Sequence, residues 1–443
     1  MAYRGRVSKL QGPTMKVCFV CSEYPPGPHG GIGTATQLLA RALVDNGHRV
    51  KVAGVYSSKY QAPDYREDRG VQVYSLQEPR VYLGWAMARC QLFKMIQSWS
   101  RTGQIDIVEV PDYQGWAAGW PQLPVPVVTR IHGSATLQAH ELNRPLDRVT
   151  RVLERWSLKR ADALCSVSHH AADITRKAFR LNHLDSTVLH NFVEVPSRPL
   201  AASSRDRNCV VFTGTLTEKK GVISLAEAWP MVLKEHPEAT LHLYGKDSKG
   251  PDGPSMKEFL MNWLSSTSLD RVSFHGHLDR SDLLQALSRA RAGVFPSYTE
   301  AFGIAPLEAM ATGCPTIFTR RATGPELIDE GTDGLLVDPD RPEAIAKAIV
   351  RLLKDDELAC RIGEAGRRKA EERFSRHSAL GQNEMFYAKC VADFKNCGSP
   401  GGRVITAVDA AREPQPGVGS SAFRGAPSTP APLAENERAR ETD

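Results

Sequence analysis

No stretch of this chain stays apolar long enough to cross a bilayer, because prolines and charges interrupt every hydrophobic run short of the roughly 18 residues a spanning helix needs. Paired cysteine spacing is also missing. Nine cysteines, an odd number, are scattered from Cys18 to Cys397, which argues for reduced thiols and against a disulfide framework. The one C-x-x-C, Cys18-Phe-Val-Cys21, lies inside an apolar run that reads as a buried strand, so core packing outweighs a redox or zinc role. The N-terminal MAYRGRVSKLQGPT lacks the apolar centre of a signal peptide, with Met15 an alternative start, and the expectation is a cytoplasmic protein. The chain also lacks a P-loop, a completed G-x-G-x-x-G and any recognisable nucleic-acid reading motif.

What is present is a composition of 41% hydrophobic and 24% charged residues over 443 positions, enough for two globular domains of ordinary size. The net charge of +6 is unevenly spread. Residues 1–200 carry 25 Lys and Arg against 16 Asp and Glu, a balance of +9, while the remainder stands at −3. A basic N-terminal half suits an anionic partner, and charge alone does not choose among a phosphorylated acceptor, a lipid surface and nucleic acid.

Short β-rich runs alternate with amphipathic helical stretches twice over. Strands are expected at 17–21, 50–55, 71–76, 105–110, 125–131 and 163–168, then at 209–214, 240–245, 271–276, 292–297, 315–319 and 334–338. Alternation of this kind predicts an α/β fold of two Rossmann-like, doubly wound domains. The expected division is a flexible extension over 1–14, an N-terminal domain over 15–190, a linker over 191–208 where Pro, Ser and charges replace periodicity, and a second domain over 209–376. The Gly, Pro, Ser and Ala-rich segment 396–443 buries too little apolar surface to offset its ordering entropy and is expected to be disordered.

In open α/β sheets, ligands sit outside the carboxyl ends of the strands, so chemistry is sought in the loops there. In SYTEAFGIAPLEAMATGCP (297–315), a strand passes through a glycine loop into a helix with Pro306 in its first turn. The N–H groups of Phe302, Gly303 and Ile304 would point at a ligand over the helix start, an arrangement that favours phosphate. Glu308, expected in that first turn, can accept hydrogen bonds from vicinal hydroxyls such as those of a ribose. Glu300, in the loop, is better placed for a reacting group. Plain helix electrostatics and a loop charge remain open for the two.

Lys219 and Lys220 precede Gly221 at another helix start, where cations oppose the helix dipole unless an anion joins them. Gly30, Gly31 and Gly33 follow the first strand and permit close backbone approach. His132 ends the strand VPVVTRI; contact with substrate and a structural role both stay open for it and for Arg130. Asp338-Pro-Asp340 reads as a turn rather than a metal site.

Together these segments resemble the family 4 retaining glycosyltransferases of GT-B fold. The match rests on E-x7-E (Glu300, Glu308), the glycine loop Gly30-Gly-Ile-Gly33, His132-Gly133 and the turn Gly214 to Gly221. It also rests on VLHNFVE as a hinge and on the run from Gly313 to Ile349, and it covers residues 15 to about 395. The resemblance implies a hexosyltransferase-type enzyme that moves sugar from a nucleoside-diphosphate sugar to a hydroxyl of a glycan, lipid-linked or small-molecule acceptor. Retention of configuration, no metal and no cofactor beyond the donor are implied as well. It assigns Glu308 to the ribose, Phe302 to Ile304 to the diphosphate, Lys220 to the leaving phosphate, Gly31 and Gly33 to donor closure, and Glu300 and His132 to the sugar. A last helix, about 377–395, is expected to return to the N-terminal domain.

One departure is Thr215, where similar sequences often carry arginine. Either Lys219 compensates, or donor affinity is reduced, or turnover is lost. The last case motivates two alternatives, a non-catalytic module that binds nucleotide sugar or a partner, and a hydrolase or epimerase. Arg144, Arg148, Arg151 and Arg155 recur at helical spacing opposite Leu146, Val149, Leu153 and Trp156, and Tyr82 to Trp99 is amphipathic. Peripheral membrane contact through this basic half is weighed against solvated arginines with core-facing aromatics, and the second is the prior expectation.

Overall fold

The computed structural model describes residues 13–396 except 28, 58, 61, 182–184, 198–199, 201–203 and 252, with the backbone alone at 267. Residues 1–12 of the expected extension, part of the expected linker and the tail from 397 lie outside the described residues.

Two sheets carry the fold. The first contains β1 (Lys16–Val20), β2 (Arg49–Tyr56), β3 (Tyr65–Asp68), β4 (Val71–Gln77), β5 (Ile107–Pro111), β6 (Val127–Ile131), β7 (Ala163–Ser166) and β8 (Thr187–Val188), in spatial order β3-β4-β2-β1-β5-β6-β7-β8. Every pairing is parallel except β3 with β4. The second contains β9 (Asp206–Thr213), β10 (Thr240–Tyr244), β11 (Val272–Gly276), β12 (Ala290–Phe295), β13 (Thr316–Thr319) and β14 (Leu335–Val337), in order β11-β10-β9-β12-β13-β14 and wholly parallel. All twelve runs expected from the sequence are strands. The additional two have a physical reason for being missed: β3 is the polar YRED, and β8 is only two residues long.

Central strands such as β5, β6, β7 and β12 are buried along their whole length, as parallel strands covered on both faces must be. One core packs the helix Gly31–Asp45 (Leu38, Leu39, Leu43) and the last helix, Arg376–Asn396 (Leu380, Phe386, Tyr387), against Val17, Phe19 and Val52 of the first sheet. The returning helix is pinned by polar contacts too. Arg130 of β6 is buried and donates to both oxygens of Glu109 at 2.8 and 2.9 Å, to Asn383 at 2.7 Å and to the Tyr387 hydroxyl at 3.1 Å. Arg130 is therefore a structural cation that ties β5 and β6 to the last helix.

The order of strands locates the ligand. In each sheet the chain winds outward one way and then returns to wind the other, so the strand order reverses between β1 and β5 in the first and between β9 and β12 in the second. A crevice opens outside the carboxyl ends of strands at such a reversal. The glycine loop follows β1, the turn at Gly214 follows β9, and the loop bearing Glu300 follows β12.

Candidate active site

These loops line one cavity of about 810 Å³, a volume suited to a small-molecule ligand. Gly31, His132, Thr215, Lys219, Lys220, Glu300, Phe302, Gly303, Ile304 and Glu308 all border it. Gly33 does not, which corrects its assignment to the donor. It is buried inside the helix Gly31–Asp45, its N–H donates to the Glu23 carboxylate at 2.7 Å, and a Cβ there would overlap the Glu23 carbonyl. Gly33 acts on the loop's shape rather than on a ligand. Glu23, which lines the cavity and holds the glycine loop, was not singled out in the sequence because it lies in no recognisable motif.

The loop after β12 is fixed from beneath. Phe302 is buried, its carbonyl accepts from the Thr323 hydroxyl at 2.9 Å, and the imidazole of His190 from the hinge lies against its ring at 5.8 Å. Gly303 has φ 96 and a built Cβ would crowd Phe318 at 2.9 Å, so this position requires glycine for both backbone and space. The helix Ile304–Ala311 begins there. Among the described residues, the N–H groups of Phe302, Gly303 and Ile304 donate to no protein acceptor, and all three residues border the cavity. Such a helix start attracts an anion through oriented amide dipoles.

Glu308 lies in the second turn of that helix, not the first, which corrects the expectation that its charge answers the dipole. Arg280 answers it instead. The Arg280 Nε donates to Glu308 Oε1 at 2.9 Å, and the carboxylate is 7% exposed. Burial raises the Glu308 pKa and the Arg280 guanidinium opposes that rise. Arg280 starts the helix Arg280–Arg289 after β11, distant in sequence from the two-glutamate motif, and no local pattern marked it.

Lys220 is ion-paired with Glu300 Oε1, which also accepts from the Ser297 hydroxyl at 3.2 Å. Glu218–Lys220 forms a single 3-10 turn, and Gly221 (φ 72) then caps the helix Val222–Glu235. Lys219 donates to Gln138 at 3.0 Å across the cleft, and burial first, then Lys220, lowers its pKa. Lys219 is thus committed to the opposite wall. Lys246, after β10, is a further cation on the lining that the sequence reading missed. Thr215 borders the same wall without a guanidinium to offer.

His132 leaves the carboxyl end of β6 with its N–H donating to Asp112 Oδ1 at 2.8 Å. Burial, with a smaller contribution from Arg130, pushes the imidazole pKa down to about 3, so the ring is neutral at ordinary pH. Asp112 is buried, and desolvation pushes its carboxyl up to about 7; Oδ2 has no hydrogen-bond partner among the described residues. Asp338 and Asp340 both pair with Arg321. Cys18 and Cys21 are buried, with thiols pushed up to about 12 by desolvation, as inert core cysteines should be.

Comparison with known proteins agrees with this geometry. Residues 29–195 match the model described as Glycosyltransferase Family 4, and residues 198–369 match Glycosyl transferases group 1. A glycogen synthase of Mycobacterium tuberculosis is 28% identical over 389 residues, covering 81% of this chain and 91% of that protein. The alpha-D-kanosaminyltransferase of Streptomyces kanamyceticus is 28% identical over 57% of this chain and 69% of its own. Among solved structures, sucrose-phosphate synthase from Thermosynechococcus elongatus superposes with a TM-score of 0.73 at 22% identity, covering 85% of this chain and 99% of that one. Anabaena Alr3699/HepE in complex with UDP-glucose superposes at 0.67 and 18% identity, covering 86% and 100%. The chain belongs to the family 4, group 1 glycosyltransferases, and its two facing sheets are their GT-B fold.

Proposed function

We propose that the chain transfers a sugar from a nucleoside-diphosphate sugar to an acceptor hydroxyl, with retention at the anomeric carbon and without a metal ion. The observation that carries this reading is the convergence of Lys220, Glu300, Glu308, His132 and three unengaged helix-start N–H groups on one cavity. Both glutamates hold cations, Lys220 and Arg280. A diphosphate seated over the Ile304 helix start competes for Lys220, and the exchange leaves Glu300 to face the sugar. Glu308, oriented by Arg280, takes the ribose hydroxyls.

Departure of the diphosphate leaves oxocarbenium-like charge on the sugar, and cations with fixed dipoles on the phosphate side stabilise that separation. The acceptor oxygen bonds the anomeric carbon on the face the phosphate leaves. The acceptor proton passes to the departing phosphate oxygen. Neutral His132 can donate one ring N–H to the sugar while its backbone is held by Asp112. A metal is unnecessary where Lys220, Lys246 and the helix start supply positive potential and the motif carboxylates are already paired. In this division the first sheet with the returning helix forms the acceptor lobe and the second sheet the donor lobe.

Incubation with a panel of nucleotide sugars, beginning with UDP-glucose, tests the reading through nucleoside diphosphate release. Release should require an acceptor and should fall in Glu300→Ala and Lys220→Ala. Binding of donor with wild type and Glu300→Ala both silent would instead favour a binding module, the reading that Thr215 motivates. Release of free sugar without transfer would favour a hydrolase.

A further inference from the structure

Two helices in the first lobe bury some of their apolar residues and leave others outside the core. In the helix Gly84–Arg101, Leu92, Ile96 and Trp99 are buried, but Trp85 and Met87 are exposed together with Val81, Tyr82 and Leu83 just before it. Tyr82 is 92% exposed. The turn that presents these side chains is built under strain. Leu83 holds a left-handed backbone at φ 61, and Gly84 packs so tightly on the Pro79 carbonyl that no Cβ fits. In the helix Arg148–Arg160, Val149, Val152 and Trp156 are exposed beside Arg148, Arg155 and Lys159 on one outward face, rather than opposite the arginines.

Both groups flank one segment, residues 113–120. Arg89 donates to the Gln114 carbonyl at 3.2 Å and lies over the Trp116 ring at 4.8 Å, which joins the first helix to segment 113–120. From the other side Gly119 lies against the Trp156 ring, and Arg160 donates to the Trp120 carbonyl at 2.8 Å. Tyr113, in the same segment, borders the catalytic cavity, so the surface runs to the mouth of the cleft. Eight of the fifteen exposed large hydrophobic residues among the described residues fall in 81–87 and 148–160, which makes this a concentrated patch rather than scattered surface.

Charge on the patch is predominantly positive, with Asp147, the exposed cap of the second helix, beside Arg148. Residues 79–101 hold four Lys and Arg and no acid, and the helix Arg148–Arg160 holds five, its one acid, Glu154, being buried and bonded to Ala135 and Thr136. Exposed Trp and Tyr among an excess of cations complement a surface that is apolar within and anionic at its face. A protein partner or second copy of the chain could bury the aromatics, yet neither accounts for the excess of cations over both helices.

We propose that Val81 to Met87 and the outward face of Arg148–Arg160 form a docking surface for an anionic lipid membrane, which brings the acceptor side of the cleft to that membrane. The benefit to catalysis rests on the transferase reading above; the docking itself does not. The test is cosedimentation of the full chain with vesicles of phosphatidylcholine alone or with about 30 mol % phosphatidylglycerol. Binding should require the anionic lipid and should weaken about tenfold or more in roughly 0.5 M NaCl. Tyr82→Asp with Trp85→Asp, and separately Arg148→Glu with Lys159→Glu, should each weaken it about tenfold or more while leaving the thermal midpoint in place. Equal binding to both vesicles, binding to neither, or variants that bind like wild type would overturn the proposal. So would a dimer in solution that Trp85→Asp dissolves in a protein that ignores vesicles. Donor binding measured on the same samples separates the two claims, since lost donor binding with intact vesicle binding rejects the transferase reading alone.

Discussion

Replacing Arg280 with methionine should damage stability and donor affinity with opposite dependence on pH. Arg280 is 28% exposed and Glu308 7%, so their ion pair lies between a surface pair, worth ~0–1 kcal/mol, and a fully buried one, whose breaking costs ~3–5 kcal/mol. About 2 kcal/mol is the expected loss at neutral pH. Without Arg280, burial and Glu194 act on Glu308 with no nearby cation to oppose them, and both raise its pKa further. An acid whose folded pKa exceeds its unfolded value favours the folded state below the unfolded pKa and loses that contribution as pH rises through the folded one. The variant's thermal midpoint should therefore fall further behind wild type between pH 5 and pH 8, as a pH series read by circular dichroism will show. Donor affinity should behave in reverse. With the ribose on Glu308, the ionised carboxylate accepts from both hydroxyls more strongly than the neutral acid, and each pH unit below its raised pKa removes about tenfold of that form. The donor KM defect should be larger at pH 6 than at pH 8.5, and Arg280→Lys should restore part of it. A defect that is flat across pH in both measurements would refute the pairing argument.

Lys220→Met should lower kcat about 100- to 1,000-fold in a transfer assay, because it removes a cation from the leaving phosphate; a change confined to acceptor KM would move Lys220 away from the donor. Gly33→Ala and Gly31→Ala should differ sharply. The first drives a Cβ into the Glu23 carbonyl and should cost about 2 kcal/mol or more in urea unfolding, while the second meets Ile304 Cδ1 at 3.7 Å, an ordinary contact, and should leave stability near wild type. Asp112→Asn should gain on wild type as pH rises from 5 to 8, by about 2.5 kcal/mol, since the raised Asp112 carboxyl loses its stabilising contribution as pH climbs through about 7. His132, already neutral, should contribute no limb to the activity profile between pH 5 and pH 9; a limb abolished by His132→Gln would contradict its lowered pKa.

The alternation of β-rich and amphipathic runs made the sheets legible because parallel strands buried on both faces must be nearly continuous in apolar residues. Strand β3 escaped that signal: YRED is polar, and its place in the sheet depends on pairing with β4. The loops at strand ends were legible for a similar reason, since glycine and proline mark places where only certain backbones fit, as at Gly303. Arg280, Glu23, Lys246 and Asp112 were not. Each reaches the site through tertiary folding, outside the segments that carry the glycine-loop and two-glutamate patterns, and Arg280, Glu23 and Asp112 take their meaning from the partner they hold. Trp85, Val149 and Trp156 show the opposite failure. Their helical spacing is that of a core face, but the core is filled by Leu92, Ile96, Trp99 and Leu158, which leaves them outside.

The proposed chemistry requires a diphosphate held between Lys220 and the helix start at Ile304. Calorimetric titration of wild type and Lys220→Met with a panel of nucleosides and their diphosphates measures that grip directly. Wild type should prefer a diphosphate over its nucleoside by about 100-fold or more, and most of that preference should vanish in Lys220→Met. A nucleoside bound as tightly as its diphosphate, or a preference untouched by the substitution, would contradict the assignment of the cleft.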